Sequence, residues 1–364
     1  MTANTSDSVC FDVTFLTDEQ ISQNFLYKPA EEIIFKFVLP AIILTGFLGN
    51  MFFLFVVCSL PRTRTVTNIY LCNLSIADIL FLFFGAGEKF LRVFLSPVSA
   101  DRFFFQQSGC IIIIFMINFS SIASLLLVTL VTVERYYAIS RPVQHRLIAG
   151  RSRTVKFIAG AWATSFIIST TIVPSHSVFS TFCFLWPDKE HYDAFPTQIG
   201  ICNHVAPWLS DYSNGVQTIP FFVALLLNLY MYVAIIRSLY RRVDPHTNSV
   251  SASTARMRLV VAWMVIINGI VFFCCNALFN LISAMFMVSS LASDTQTVIY
   301  WYNTISPFHV LLLYINSMIN PFIYGATNQR LRKAFFLTMR CSVKETSMTE
   351  GTDTKLSGTK QLPR

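Results

Sequence analysis

The chain has 364 residues, of which 54% are hydrophobic, 15% aromatic and only 13% charged, and its formal net charge is +8. Soluble domains carry about 25% charged residues, so this composition argues against a water-soluble fold, and the high hydrophobicity excludes disorder as the main state. Nine cysteines are too few for a small disulfide scaffold. The composition therefore predicts a protein that crosses a membrane several times.

Seven mostly apolar stretches follow one another along the chain, and each is long enough to cross ~30 Å of hydrocarbon as a helix. None alternates apolar and polar residues, which disfavours a β-barrel. The sequence therefore predicts an all-α membrane protein, a bundle of seven transmembrane helices. The predicted spans are 33–60, 67–95, 107–138, 156–179, 207–240, 256–288 and 300–325.

The remaining segments divide the chain into four predicted regions. Residues 1–32 form an extracellular N-terminus that has neither the basic start nor the apolar core of a cleavable signal peptide. Residues 33–325 form the seven-helix domain, and 326–340 form a short amphipathic cytoplasmic helix, the eighth of the chain. Residues 341–364 form a cytoplasmic tail whose composition predicts disorder.

Lysine and arginine residues are divided unevenly between the two sides of the predicted bundle. The segments that follow spans 1, 3, 5 and 7, with their helix ends, hold 21 of the 27 basic residues, and the positive-inside rule places them in the cytoplasm. The other side holds six basic and 13 of the 19 acidic residues, a net charge of −7. We expect a plasma-membrane protein with an outside N-terminus, a cytoplasmic C-terminus and an acidic outer mouth. The positive net charge is then no sign of nucleic-acid binding.

Asp78 is the residue that costs most to place in the predicted bundle. It lies ten residues after Asn68 at the inner end of span 2, hence ~15 Å into the bilayer, where insertion of a charge costs roughly 2.5–3.5 kcal/mol. A protonated or hydrogen-bonded Asp with a structural role is one interpretation. The alternative is a functional site, and side chains on spans 1, 3 and 7 offer oxygens to it: Asn50, Ser124, Asn316, Ser317 and Asn320.

Two residues mark the ends of span 3. The 25 residues from Cys110 to Arg135 correspond to ~37 Å of helix, so one lies at the outer surface and the other at the inner surface. An outer cysteine is in an oxidising compartment, where disulfides persist. The loop 180–206 offers two partners, and Cys202, which stands close to the start of span 5, is slightly favoured over Cys183.

Short motifs occur at consistent depths in six of the seven spans. They are Gly49-Asn50, Asn73-Leu74-x-x-Ala77-Asp78, Cys110 with Glu134-Arg135-Tyr136, Trp162, Pro220, and Asn320-Pro321-x-x-Tyr324. Together they resemble the landmarks of class A (rhodopsin-like) G-protein-coupled receptors, over about residues 33–340. An acid followed by Arg at a helix end, taken alone, is also typical of a simple interfacial anchor.

The resemblance implies roles for residues at two depths. At the inner rim, Glu134 would hold Arg135 in the inactive state, and Arg135 would help to admit a heterotrimeric G protein. The implied switch residues are Glu134, Arg135, Tyr136, Asn320, Pro321 and Tyr324. Nearer the midplane, an allosteric sodium ion is the one cofactor implied, and a carboxylate with hydroxyl and amide oxygens suits this small hard cation. The implied pocket is Asp78, Ser124, Asn316 and Ser317.

Span 6 departs from the family pattern. Phe272 and Cys275 match it, but Asn276 stands where the family has Trp, and Leu278 stands where it has Pro. Without the proline, the usual cause of a sharp kink is absent. The inner end of span 6 has two arginines and no acid, so we expect the inter-helix lock of many members to be missing. In span 5, Asn228 stands where many members have Tyr.

The ligand class can be narrowed by exclusion. Span 7 has no Lys that could form a retinal Schiff base, which disfavours an opsin. Ile117 stands where amine receptors carry their Asp, so an amine ligand would lack its counter-ion. A lipid receptor is an alternative that these residues do not address. The acidic outer face favours a basic ligand, and the run 219–237 resembles FMRFamide-type neuropeptide receptors of invertebrates. We therefore predict a receptor for a short basic, amidated neuropeptide. The predicted ligand-pocket residues are Glu88, Lys89, Arg92, Ile117, Asn276 and His309.

The sequence leaves other functions to consider. A chemosensory or orphan receptor for small molecules is the alternative within the family. A transporter would show inverted repeats and broken midplane helices. An enzyme is not expected, because the six histidines never pair at helical spacing and neither a nucleophile elbow nor a P-loop motif occurs.

Modification sites are predicted at the two ends of the chain. Asn4 begins a glycosylation sequon, and Cys341 follows the basic amphipathic stretch as a palmitoylation candidate. The tail beyond it is rich in Ser and Thr. The resemblance implies that receptor kinases phosphorylate such a tail and that arrestin then binds it, whereas a plain solvated tail is the alternative.

Overall fold

The computed structural model describes residues 10–148, 150–240, 249–292, 296–327 and 331–336. Within them, seven helices are long and apolar enough to cross a membrane, which confirms the predicted bundle and makes the chain a multi-pass membrane protein. We call them helix 1 to helix 7. They comprise Pro29–Ser59, Val66–Leu95, Phe103–Ser140, Arg151–Ser175, Trp208–Tyr240, Ser249–Ala292 and Gln296–Thr327.

Two helix ends differ from the predicted spans for identifiable reasons. Helix 1 begins four residues early, at Pro29, because proline suits the first helical turn and the Glu31 carboxylate accepts the backbone N–H of Lys28 at 3.1 Å. Helix 4 was predicted to reach residue 179, but it ends in a short 3-10 turn, Val173–Ser175. The apolar residues that follow form a strand, and apolar runs of this length do not distinguish strand from helix.

Short helices lie at the end of the bundle that the basic residues predict to be cytoplasmic, which we call the inner side. A 3-10 turn, Pro61–Thr63, precedes helix 2, and Pro142–Ile148 forms a helix in the loop between helices 3 and 4. Residues 331–336 are helical and bury Leu331 and Ala334. They belong to the predicted eighth helix, and the remainder of the range 326–340 after residue 327 lies outside the described residues.

A small sheet covers the outer side, which the all-α prediction did not include. Strand β1 is Phe11–Asp12, β2 is Val178–Leu185 and β3 is Gln198–Asn203. The order is β1-β2-β3, with β1 parallel to β2 and β2 antiparallel to β3. Strands β2 and β3 form a hairpin in the loop between helices 4 and 5, and the N-terminal segment adds the third strand.

The N-terminal segment 10–26, which we call the cap, has a folded core of its own. Its helix, Asp18–Asn24, begins with a capping box between Thr17 and Gln20, and Ile21 is fully buried. A buried cluster joins the cap to the outer loops: Val13, Val98, Phe184 and Ile199. The cap is therefore packed against the loops and held by apolar contacts.

An exposed ion pair also ties the cap to the loop hairpin. Lys189 Nζ donates to both oxygens of Asp18 at 2.7 Å, and the Tyr192 hydroxyl donates to the same carboxylate at 3.1 Å. The hydrogen bond from Lys189 lowers the pKa of Asp18 below its usual value. Because both side chains are about half exposed, this pair adds little to stability.

A disulfide fastens the first residue of the cap. Cys10 is bonded to Cys183 in β2, across 173 residues of sequence. We expect the double substitution Cys10→Ser, Cys183→Ser to accelerate amide hydrogen exchange in residues 11–24 by at least about tenfold, since only the two-residue strand, the apolar cluster and the exposed ion pair then hold the cap. Helices 2 and 3 serve as the internal reference and are expected to exchange at unchanged rates. Equal exchange in the cap of both proteins would show that apolar packing suffices.

Polar side chains join the membrane helices below the cap. Trp162 Nε1 of helix 4 donates to Asn73 Oδ1 of helix 2 at 3.0 Å, and Asn228 Nδ2 of helix 5 donates to Thr129 Oγ1 of helix 3 at 3.0 Å. Such bonds between membrane helices contribute modestly, about 0.6 kcal/mol on average. These two hydrogen bonds help to fix the positions of helices 2 and 3 relative to helices 4 and 5.

Helix 2 contains a π turn, Leu82–Ala86, between its two buried acids. An inserted π turn changes which faces of a helix are presented before and after it, and such turns often accompany functional sites. Asp78 lies before the turn and Glu88 lies after it, and both are buried. Helix 2 thus supplies one acid to the middle of the bundle and another to its outer half.

Candidate functional site

The Asp78 site joins helices 1, 2 and 7 at the middle of the bundle. Asp78 is fully buried, and Asn320 Nδ2 donates to Asp78 Oδ2 at 2.6 Å. On helix 1, Asn50 Nδ2 donates to the backbone oxygens of Gly46 and Ser317, both at 2.9 Å. Asn320 of helix 7 therefore contacts the acid directly, and Asn50 ties helix 1 to helix 7 at the Ser317 backbone.

Oxygen atoms without donors concentrate at this site. Among the described residues, the amide oxygens of Asn50, Asn316 and Asn320 are buried and accept no hydrogen bond. Ser124 and Ser317 are also buried. Buried polar atoms normally find a partner, and a hard cation is coordinated by such oxygens together with a carboxylate. The side chains present therefore fit a small cation such as sodium.

The inner rim differs from the arrangement that the motif implied. Arg135 Nη2 donates to Thr67 Oγ1 on helix 2, whereas Glu134 Oε1 is bonded to His145 Nε2 at 2.8 Å. His145 lies on the short helix Pro142–Ile148 of the second inner loop. Glu134 thus has a loop partner, and Arg135 is held by a hydroxyl of the neighbouring helix instead of by a hydrogen bond from Glu134.

Tyr324 lies in the core above this rim. Its side chain is fully buried, its ring lies 5.0 Å from that of Phe53, and its hydroxyl has no hydrogen-bond partner among the described residues. Tyr324 and Asn268 both line a void of about 10 Å³ between helices 2, 3, 6 and 7. The Tyr324 hydroxyl is therefore buried and is not fixed by a hydrogen bond to any described residue.

Helix 6 is unbroken, as the absence of Pro predicts. Asn276, in place of the family's Trp, donates through Nδ2 to the backbone oxygen of Phe272 at 2.8 Å, and Asn280 donates to that of Asn276 at 2.9 Å. Both asparagines are therefore bonded to their own helix. They present polar groups to the bundle at a level where the sequence predicted ligand contact.

The outer half of helix 2 carries a buried charge cluster. Arg92 Nε lies 3.3 Å from Glu88 Oε1, and Arg102, just before helix 3, lies 4.0 Å from the same oxygen. Lys89 follows Glu88 and acts electrostatically on it. Three of the predicted pocket residues, Glu88, Lys89 and Arg92, are thus brought together.

The other predicted pocket residues line different parts of the bundle. His309 of helix 7 is buried and its ring is stacked 5.9 Å from Phe279. Ile117 packs deeper, where a Cβ on Gly85 would lie 3.6 Å from Ile117 and 3.3 Å from the Tyr314 ring. Glycine therefore permits helices 2, 3 and 7 to approach closely beneath the charge cluster.

Two disulfides organise the outer side. Cys110 at the start of helix 3 is bonded to Cys202 in β3, the slightly favoured of the two predicted partners. Cys183, the other candidate, is bonded to Cys10, which sequence reasoning missed. The sequence contained the necessary signal, because pairing Cys110 with either loop cysteine leaves Cys10 and the other loop cysteine on the side predicted to be oxidising.

Comparison with known proteins decides the class. A profile of the family described as 7 transmembrane receptor (rhodopsin family) matches residues 49–324, which is more than half of the chain. The chain belongs to this receptor family.

Proteins with similar sequences include two receptors of Rattus norvegicus and one of Homo sapiens. The Substance-K receptor is 25% identical over 316 residues, which cover 83% of this chain and 73% of the relative. Neuromedin-U receptor 2 is 26% identical over 298 residues, covering 81% and 72%. The Substance-K receptor of Homo sapiens is 26% identical over 315 residues, covering 83% and 71%.

Family membership confirms the predicted class A resemblance and the receptor function, and it argues against the transporter alternative. Some predicted positions lie outside the described residues and stay predictions. These are Asn4, Cys341, and the Ser- and Thr-rich tail. The individual roles of the site residues also stay predictions, although the geometry above places most of them.

Proposed function

We propose that this receptor lies in the plasma membrane, binds an extracellular peptide and activates a heterotrimeric G protein. Its N-terminus is outside and its C-terminus is cytoplasmic, in agreement with the distribution of basic residues. The observation that carries the proposal is the similarity, over more than four fifths of the chain, to receptors for the peptides substance K and neuromedin U.

The acidic outer face supports a ligand with basic residues. The outer side has a net charge of −7, which steers cations toward the mouth of the bundle and raises the association rate. The proposed ligand is therefore a short basic neuropeptide, and an amidated end is the form that the 219–237 resemblance favours. A small-molecule chemosensory ligand is the second candidate, and the tissue that expresses the receptor separates the two.

Activation follows from two states of the bundle. A ligand can shift the equilibrium only by binding one state more tightly than the other. In the state described here, Arg135 is bonded to Thr67 and Glu134 to His145. In the active state, Arg135 leaves Thr67, an inner cavity opens between helices 3, 5 and 6, and the G protein stabilises it. The coupling is reciprocal, so the G protein tightens ligand binding.

A sodium ion at Asp78 is proposed as an allosteric ligand of the inactive state. Asp78, Ser124, Asn316 and Ser317 would hold it, with Asn320 as the neighbouring donor. When bound, the cation neutralises the buried carboxylate and crosslinks helices 2, 3 and 7. The chain's own part is to supply a desolvated carboxylate and amide oxygens that water does not reach.

Sodium is expected to raise the melting temperature of the purified receptor relative to choline at equal ionic strength, by about 2–4 °C. The physical reason is selective binding to the folded state. Asp78→Asn is expected to abolish this difference, because the amide removes the charge at nearly unchanged size. Asp211→Asn, an exposed acid on helix 5, is the matched control and should retain it. An equal sodium response in Asp78→Asn would contradict the site.

The cytoplasmic tail and the surface modifications complete the proposal. Receptor kinases phosphorylate the Ser and Thr residues of 341–364, and arrestin binds the phosphorylated tail through added negative charge. Palmitate on Cys341 anchors the eighth helix to the inner leaflet lipid, and a glycan on Asn4 extends from the outer face.

A ligand screen tests the function directly. Cells that express the receptor with a promiscuous G protein are challenged with a library of short peptides, and second-messenger release is measured. At least one basic peptide is expected to give a saturable response that untransfected cells lack. Silence across the library, with the receptor detected at the cell surface, would contradict a peptide ligand.

A further inference from the structure

Hydroxyl groups tie helices 3 and 5 together in the inner half of the bundle. Ser140 Oγ of helix 3 donates to the backbone oxygen of Ala234 on helix 5 at 3.3 Å, and Ser238 Oγ donates to Ser140 Oγ at 3.0 Å. Nearer the midplane, Thr132 Oγ1 of helix 3 donates to the Tyr232 hydroxyl of helix 5 at 3.4 Å. Helices 3 and 5 therefore present one connected surface to helix 6.

Helix 6 packs on this surface through apolar contacts. Its side chains are described from Leu259 onward, and none in the range 259–275 forms a hydrogen bond with helix 3 or helix 5. The inner end of helix 6 also has no acid that could pair with Arg135. A buried cluster joins the three helices instead: Ile139, Tyr232, Ile235, Ala262 and Ile266.

Gly269 is the point at which helix 6 comes closest to this surface. A Cβ atom added to Gly269 would overlap the Tyr232 hydroxyl and would lie 2.7 Å from Tyr232 Cζ, well inside the ~3.5–4.0 Å at which carbon atoms make contact. We call the space left by the missing side chain of Gly269 the glycine notch. Glycine weakens the interior of a helix relative to alanine, and the close approach of another group is a physical reason for its presence.

Tyr232 has little freedom to leave the notch while helix 6 stays in place. Its side chain is buried and its ring belongs to the apolar cluster. Movement of the hydroxyl would break the bond from Thr132 and disturb a closely packed interior. A larger side chain at residue 269 would therefore displace helix 6 from helices 3 and 5. Because helix 6 is unbroken from Ser249 to Ala292, the displacement would reach its inner end.

We propose that the glycine notch is a steric lock that positions helix 6 and sets the activity of the receptor without ligand. Gly269 and Tyr232 are its two positioning residues. The Tyr232 hydroxyl fills the notch in the closed state, and helix 6 withdraws from it when the cavity between helices 3, 5 and 6 opens. The inference rests on the proposed activation of a G protein through this cavity. The fit in the notch then sets the fraction of receptors that are open before ligand binds.

Gly269→Ala tests the lock directly. It is expected to raise nucleotide exchange without ligand at least about fivefold, measured with purified receptor and G protein, because the methyl group and Tyr232 cannot share the notch. Gly160→Ala on helix 4 is the matched control, since no atom lies within 4 Å of its added Cβ, and exchange should stay within about 1.5-fold of wild type. Alanine favours the helix at both positions, so only the contact with Tyr232 distinguishes them. Unchanged exchange in Gly269→Ala at normal surface expression would overturn the proposal.

A second substitution identifies the contact that produces the effect. Tyr232→Leu empties the space beside residue 269, so adding Gly269→Ala in this background is expected to change exchange by less than about twofold. An equal fold-rise in both backgrounds would contradict a steric contact. If Gly269→Ala lowers the amount of receptor at the cell surface, the same contact predicts that Tyr232→Leu restores it. A double variant that stays absent from the surface would also count against the lock.

The position of helix 6 can be measured without a G protein. Spin labels are attached to Leu259→Cys on helix 6 and Val155→Cys on helix 4, where both side chains are exposed, in a receptor whose Cys58, Cys274 and Cys341 are replaced by Ser. Gly269→Ala is expected to lengthen the mean distance between the labels by at least about 2 Å, since the rigid helix carries the displacement inward. Gly160→Ala should leave the distance unchanged. An unchanged distance in Gly269→Ala would contradict the lock.

The outcomes separate this inference from the proposed function. A wild-type receptor that activates a G protein, together with a Gly269→Ala variant of unchanged exchange and unchanged label distance, contradicts the lock and leaves the function intact. A wild-type receptor that supports no nucleotide exchange with any peptide of the screen contradicts the function. The label distances then still decide whether the notch positions helix 6.

Discussion

Arg135→Ala is expected to abolish ligand-stimulated nucleotide exchange while leaving ligand affinity, measured without G protein, within about threefold of wild type. Arg135 lies ~37 Å of helix away from Cys110 at the outer end, so a ligand in the outer half does not contact it. In the described state the half-buried guanidinium of Arg135 is bonded to Thr67 on the neighbouring helix. Its loss therefore removes the group that the G protein would meet.

Two further variants give this prediction a control and an opposite sign. Arg153→Ala removes a cation of helix 4 that packs on the Phe157 ring, and exchange should stay within about twofold of wild type. Thr67→Val removes the hydroxyl that holds Arg135 and conserves shape, so basal exchange is expected to rise several-fold, since a hydrogen bond to a charged group is worth roughly 1.5–3 kcal/mol. Normal stimulated exchange in Arg135→Ala would refute the gate role.

The second large effect is expected from the double substitution Cys110→Ser, Cys202→Ser. The bond between these residues fastens the loop hairpin to helix 3 across 92 residues of sequence. Loss of a native disulfide commonly costs about 2–5 kcal/mol, which is a large part of the stability of a folded protein. We expect receptor at the cell surface to fall at least about tenfold, measured by antibody against an N-terminal tag.

The control for this experiment is Cys274→Ser, which changes a free, exposed cysteine of helix 6 and should leave surface expression unchanged. Removing both partners together avoids an unpaired thiol that could form a wrong disulfide. The substitution of Cys10 and Cys183 is expected to be milder, because that bond fastens the cap and not a membrane helix. Wild-type surface levels without the Cys110 bond would mean that packing alone orders the hairpin.

The membrane helices were predictable because their signal is physical and continuous. A segment must hold about 20 apolar residues to span hydrocarbon, and charged residues must sort by side, whatever the tertiary contacts are. Asp78 stood out for the same reason. The structure then shows that Asn320 of helix 7 donates to this acid and that Asn50 of helix 1 is bonded to the Ser317 backbone of helix 7.

The outer sheet and the inner-rim partners were not predictable in this way. The apolar residues of β2 continue the pattern of helix 4 closely enough to conceal a strand, and a two-residue strand such as β1 has no sequence pattern at all. The bond from Glu134 to His145 depends on how the second inner loop folds back, which residue spacing does not encode. The adjacency of Glu134 and Arg135 in the sequence therefore does not predict the hydrogen-bond partner of either side chain.

The unbroken sixth helix has a mechanical consequence. It runs from Ser249 to Ala292, and about 40 Å of helix lie between Asn276 and its inner end at ~1.5 Å per residue. A kinked helix can bend at its proline, but helix 6 has no proline and would rotate as one rigid unit. A rotation of about 10° around Asn276 would move the inner end through about 7 Å. A small rotation at the level of Asn276 would therefore produce a wide opening toward the cytoplasm.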